Sequence, residues 1–140
     1  LGMVYCVEQV LPLLRDSNCP HLVTMSSLSA YGGLPRAEAY GASKAAVQNF
    51  SQSLQMDLVR EGIRVSNVSP GFVDTPLTRK NDFPMIAVQP VDKAAEIILV
   101  QLAKGKLEIH FPLRFSLVMK LVTSLPARWY RALISWVTHR

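Results

Sequence analysis

Cysteine is scarce in this chain: two in 140 residues, Cys6 and Cys19. Neither lies at a spacing that builds a metal site or a redox pair, so both read as ordinary thiols of a reducing compartment. Long apolar runs are lacking as well. No uncharged stretch approaches the eighteen or more residues of a membrane span, and no signal-peptide pattern opens the chain. These absences predict a cytoplasmic location. Charged residues are few, 18% against 49% hydrophobic, a balance that excludes a disordered chain. There is no internal repeat and no low-complexity segment. The length suits one domain or part of one. The chain starts Leu1-Gly2-Met3 inside an apolar helical pattern, as expected of a piece of something longer.

Acidic residues run out towards the C-terminus. Residues 104–140 hold seven Lys or Arg and one acid, Glu108, a net +6. Residues 1–103 hold eight basic and nine acidic side chains, a net −1. The basic excess belongs to the tail, which argues against nucleic acid as a partner of the body.

Hydrophobic periodicity orders the rest. Val4, Val7, Val10, Leu11 and Leu14 recur at helical spacing over residues 1–15. Asp16-Ser17-Asn18 and Pro20 stop that helix. A short strand follows at 21–26, then a loop with Gly32-Gly33 and Pro35. A long helix runs from about Ala39 to Glu61, capped by Gly62. The second strand is 63–68, and an irregular stretch with three prolines fills 70–88. A helix at 89–103 and a strand at 107–111 complete the alternation. Strand and helix alternating in this way imply right-handed crossovers and a parallel sheet. Ligands of such sheets bind beyond the carboxyl ends of the strands. Ser27 follows the first strand and Pro70-Gly71 the second, so both fall on that edge.

The chemistry concentrates in Tyr40-Gly41-Ala42-Ser43-Lys44, with Ser27 thirteen residues upstream. Helix positions four apart share a face, which brings Tyr40 and Lys44 to one space. A free phenol has a pKa near ~10. A nearby cation lowers it by roughly 1–3 units, and a place in the first helical turn favours the phenolate. Ser27 then holds the oxygen that exchanges a proton with Tyr40. Ser26 and Ser29 are rivals for that role. His21, His110 and His139 have no catalytic partner in the sequence.

Ser27, Tyr40-X-X-X-Lys44 and Pro70-Gly71-Phe72-Val73-Asp74-Thr75 together resemble the short-chain dehydrogenase/reductase family. The resemblance runs from Leu1 to about Phe111. It implies the C-terminal half of a doubly wound, Rossmann-type α/β domain over 1–111. It implies an oxidoreductase that interconverts an alcohol and a carbonyl by hydride transfer with NAD or NADP. By resemblance Ser27, Tyr40 and Lys44 are catalytic, and Lys44 also binds the nicotinamide ribose. Pro70, Gly71, Val73 and Thr75 line the cofactor, Thr75 bonding the carboxamide beside the Val73 backbone. Asn67 matches a structural position of the family. No metal is implied. Family members commonly pair the long helix, which predicts a homodimer or homotetramer through 41–60 and 1–15. Other branches of the superfamily use the same pair for epimerisation or dehydration, usually with a longer C-terminal substrate domain.

Two family features are missing. The glycine-rich turn that takes the cofactor pyrophosphate at a helix N-terminus is not in the sequence. The fourth catalytic residue, an Asn, would fall just before Leu1. A non-catalytic truncated piece or scaffold is therefore the opposing reading. Apolar loop residues such as Leu28, Tyr31, Leu34, Phe72, Phe83 and Ile86 suggest a lipophilic alcohol or ketone. Residues 112–140 read as a separate basic amphipathic helical tail. Trp129 and Trp136 opposite Arg128 and Arg131 fit either an interfacial helix at a membrane surface or a helix docked on protein.

Overall fold

A computed structural model describes residues 1–83 and 85–138. Pro84, third proline of the irregular stretch, and His139 lie outside the described residues. Among the described residues, six helices and strands alternate and two further helices follow. They are α1 (Gly2–Arg15), β1 (His21–Met25), α2 (Glu38–Leu58), β2 (Arg64–Pro70), α3 (Val91–Ala103), β3 (Glu108–Phe111), α4 (Leu113–Thr123) and α5 (Ala127–Thr138). The three strands form one parallel sheet in the order β1-β2-β3. The α/β alternation and the parallel sheet are as the spacing predicts.

Boundaries differ where local chemistry decides them. β2 continues two residues beyond Val68, to Pro70, because Ser69 and Pro70 pair with His110 and Phe111 of β3. Proline tolerates this place at a strand end, where no ladder donor is required of it. The long helix tightens into a 3-10 turn at Val59–Glu61 and ends on Gly62, whose φ of 72° only glycine adopts without strain.

Two apolar clusters sandwich the sheet. Val68, Ala94, Ile109 and Phe111 join β2, β3 and α3. Leu58, Ile63 and Val65 join the end of α2 to β2, with Leu11 and Leu14 of α1 packed alongside. β2 is central and buried, yet it carries Ser66, Asn67 and Ser69. Buried polar groups need partners, and each has one. Ser66 Oγ donates to Lys106 O at 2.7 Å and meets His21 Nε2 at 2.9 Å. Asn67 Oδ1 accepts from Thr24 Oγ1 at 3.1 Å, and its Nδ2 donates to Ser69 Oγ at 3.2 Å. Thr24 Oγ1 also lies 2.7 Å from Ser51 Oγ on α2. A polar thread therefore runs from α2 through the sheet to the loop edge. It gives Asn67 the structural role expected of it.

Both histidines among the described residues are structural. His110 Nδ1 lies 2.6 Å from Ser116 Oγ on α4. Burial, then the charge of Lys120, pushes His110 below its ordinary pKa. Burial, then Arg64, does the same to His21.

Candidate active site

The site is built at the carboxyl end of β1. Two hydrogen bonds clamp α2 there. Ser26 Oγ donates to Lys44 O at 2.8 Å, and Lys44 Nζ donates to Met25 O at 3.0 Å. The lysine is thus tied to β1 by its backbone and its side chain. Its ammonium lies 5.8 Å from the centre of the Tyr40 ring, the shared face expected of residues four apart. Tyr40 is the third residue of α2, in the first turn, and is 54% exposed.

Gly41 explains itself by proximity. A Cβ there would stand 3.2 Å from Ser29 O, so the helix start approaches the post-β1 loop closely only without a side chain. The three serines then part ways. Ser26 is buried and occupied by Lys44 O. Ser29 Oγ is buried without a hydrogen-bond partner among the described residues. Ser27 caps the 3-10 turn Leu28–Ala30, its Oγ accepting from Ser29 N at 3.2 Å. Ser27 is half-buried at the strand end, and its hydroxyl proton has no acceptor among the described residues.

Ser26 and Thr78 are the residues that sequence reasoning missed. Ser26 was visible as a rival for catalysis, yet its work is to hold Lys44. Thr78 organises the loop after β2. Its Oγ1 donates to Val73 O at 2.5 Å and accepts from Thr75 N at 2.9 Å. Thr75 Oγ1 accepts from Thr78 N at 3.2 Å. Thr75-X-X-Thr78 is a short capping pattern, and that spacing was the signal available. Pro70 ends β2 and Gly71 N donates to Phe111 O at 2.7 Å. A Cβ on Gly71 would meet Pro112 Cδ at 3.1 Å, Phe111 O at 3.2 Å and Leu28 Cδ1 at 3.3 Å. Leu28, expected among the loop residues facing substrate, is instead 3% exposed and packed beneath Gly71.

The loop after β2 is pinched at its neck. Val73 bridges Gln89 in parallel: Gln89 N donates to Phe72 O at 2.9 Å, and Asp74 N to Gln89 O at 2.8 Å. In a parallel bridge the bridging residue's own groups point the other way. Val73 O is taken by Thr78, while the Val73 N–H has no partner among the described residues.

A second tie crosses from the post-β1 loop. Arg36 donates through Nη2 to both Asp82 oxygens, at 2.7 and 2.9 Å, and its guanidinium lies 5.9 Å from the Phe83 ring centre. Phe83 meets Phe72 edge-on at 6.0 Å between centroids. Hydrogen bonds from Arg36 hold the Asp82 carboxyl below the usual carboxylate range. Arg36 itself adopts φ 63°, a left-handed conformation that non-glycine residues rarely take.

Two other tyrosines are held neutral. Burial, then the charge of Glu108, pushes Tyr31 up to about 12, with a hydrogen bond to Ser69 opposing. Burial raises Tyr130 as well. Tyr130 Oη donates to Gly33 O at 2.8 Å, which ties α5 to the glycine loop beyond β1.

Compared with known proteins, residues 1–84 match the family model for short chain dehydrogenase. An uncharacterized oxidoreductase of Myxococcus xanthus is 35% identical over 125 residues, 89% of this chain and 49% of that protein. One from Staphylococcus saprophyticus is 37% identical over 82 residues, 59% of this chain and 35% of that protein. A short chain dehydrogenase from Burkholderia cenocepacia, solved with NADP, superposes with a TM-score of 0.80 at 22% identity. That match covers 95% of this chain and 54% of that one. A short-chain dehydrogenase from Sphingobium yanoikuyae, solved with NADPH, gives 0.65 at 25% identity, over 91% and 47%. The chain thus spans half or less of the length of these two curated relatives. With its α/β core, its three parallel strands and a family match over 60% of its residues (84 of 140), the chain belongs to the short-chain dehydrogenase family of oxidoreductases.

Proposed function

We propose that this chain is the C-terminal, catalytic half of a doubly wound domain that interconverts an alcohol and a carbonyl with NAD or NADP. One observation carries the reading. The Ser26–Lys44 and Lys44–Met25 hydrogen bonds fix the start of α2 at the end of β1, so that Ser27, Tyr40 and Lys44 share the ligand-binding edge of a parallel sheet.

The residues present fit a nicotinamide cofactor. The Val73 N–H and the Thr75 side chain lie beside one another at the end of β2, with Pro70 and Gly71 forming the turn that leads to them. Lys44 offers a cation on the same edge. These groups would hold the nicotinamide and its ribose, and the cofactor supplies or accepts the hydride when bound. Ser27 Oγ donates a hydrogen bond to the substrate oxygen. Tyr40 Oη exchanges a proton with that oxygen, as acid in reduction and as base in oxidation. The Lys44 charge stabilises the phenolate that forms when Tyr40 gives its proton up. Phe72 and Phe83 offer apolar surface to a lipophilic substrate.

The test is Tyr40→Phe in the full-length protein that contains this chain. Only a hydroxyl is removed, so turnover falls by about 10²–10⁴-fold, the usual share of a general acid–base group. Cofactor affinity, measured by fluorescence titration, stays near wild type. A variant with turnover within about threefold of wild type, far less than such a group contributes, overturns the assignment.

A further inference from the structure

α4 carries apolar side chains outward as well as inward, where Met119 is 7% exposed. Its inward side holds Ser116, fully buried, which donates to Leu113 O at 2.9 Å and lies 2.6 Å from His110 Nδ1. Lys120 and Thr123 are half-buried on that side. The outward side is apolar. Leu113, Leu117, Val118 and Leu121 are 54–68% exposed, and Leu125 extends the stripe just past the helix. An ordinary surface helix turns its apolar stripe inward. α5 is tied to Gly33 O by Tyr130, keeps Leu133 and Ile134 half-buried, and leaves Trp129 and Trp136 each 57% exposed.

Charge identifies what covers this surface. Residues 112–140 contain no acid. Arg114, Arg128 and Arg131 are exposed, while Lys120 turns inward and pairs with Glu108 at 3.4 Å. A second copy of the same face would bring cations against cations, which Coulomb repulsion disfavours. A surface that is apolar below and anionic at its boundary satisfies both features. Exposed Trp side chains suit such a boundary, their rings part apolar and part polar. We propose that the outward face of α4, together with Trp129 and Trp136, seats the protein on an anionic lipid surface without crossing it. No helix among the described residues is long and apolar enough to span a membrane. The proposal is independent of the catalytic reading, because no residue in it belongs to the active site.

The experiment is co-sedimentation of the full-length protein with vesicles of phosphatidylcholine, alone or mixed with phosphatidylglycerol. Pelleting is expected with the anionic vesicles only, and it weakens at high salt as screening shortens. Leu117→Glu with Leu121→Glu abolishes it. Arg114→Gln with Arg131→Gln, both exposed side chains, lowers partitioning by about fivefold for each charge removed. Activity with a soluble substrate is retained in both pairs. No pelleting of wild type with anionic vesicles overturns the proposal, as does equal pelleting of the Leu117→Glu, Leu121→Glu variant. A wild-type dimer that this variant dissolves, with no lipid binding by either, would instead assign the face to a second copy.

Discussion

At the residue scale, single side chains set the reach of the two loops that flank Tyr40. Arg36 joins them by grasping Asp82, in a backbone conformation that costs energy to hold. The Asp82 carboxyl has its pKa depressed by that partner. A depressed acid contributes its interaction above the unfolded pKa, near ~3.9, and loses it as pH falls through the folded value. The tie is therefore complete at neutral pH and releases only in acid. Asp82→Asn should reproduce the acid state at pH 7. Limited proteolysis between residues 74 and 88 checks this: cleavage in the variant at neutral pH should match the level that wild type reaches as pH falls through the depressed Asp82 value, with global unfolding unchanged at pH 7. Part of the residue-level placement was legible beforehand: Tyr40 and Lys44 share a face because helix geometry dictates it. The function of Ser26 was not legible, since nothing in a sequence says which of two adjacent serines faces a helix backbone. The Arg36–Asp82 tie joins residues 46 apart, and the sequence carries no periodicity that could announce it.

At the element scale, the sheet's edge is assembled where β2, β3 and the post-β1 loop converge on Gly71. Its amide reaches Phe111 O, and three neighbours stand within 3.3 Å of any added Cβ. One of them is a backbone carbonyl and another a proline ring, neither of which yields easily. Gly71→Ala should destabilise the protein by about 1–3 kcal/mol, the usual cost of overpacking. Denaturant unfolding measures it as a lower midpoint at unchanged m-value. Helices and strands were legible as types because apolar spacing differs between periods of 3.6 and 2. Their ends were less so. β2 gains Ser69 and Pro70 from pairing with β3, a long-range cause. The polar residues inside β2 were equally hidden, because Thr24, Ser51 and Asn67 satisfy one another only once the sheet has formed. Leu54 and Leu58 of α2 pack on the molecule's own second cluster, a contact that α2's spacing alone does not specify.

At the scale of the whole molecule, the exposed edge of β1 governs behaviour. β1 pairs with β2 alone, and Val23 and Met25 on it are 38% and 47% exposed. An unpaired, apolar strand edge templates association. The 140-residue chain taken by itself should self-associate and bind NADPH weakly. Sedimentation velocity and fluorescence titration check both: a monodisperse monomer with micromolar cofactor affinity contradicts the expectation. α1 exposes Tyr5 and Leu13, and α2 exposes Met56; light scattering on the full-length protein tests whether these side chains seat a second copy. The resemblance announced this family from a handful of positions, whereas the outward apolar face of α4 needed three dimensions to be seen.

The pinched neck at Val73 and Gln89 has a bearing on how such a protein diversifies. Everything between residues 74 and 88 leaves and re-enters through one bridged pair, with Val73 and Thr75 anchored at the threshold by Thr78. Length and composition beyond that threshold can drift while the sheet and the start of α2 stay in register, since long surface insertions cost little once their ends are fixed. This one excursion can thus be exchanged, in evolution or by grafting, without rebuilding the sheet edge that carries it.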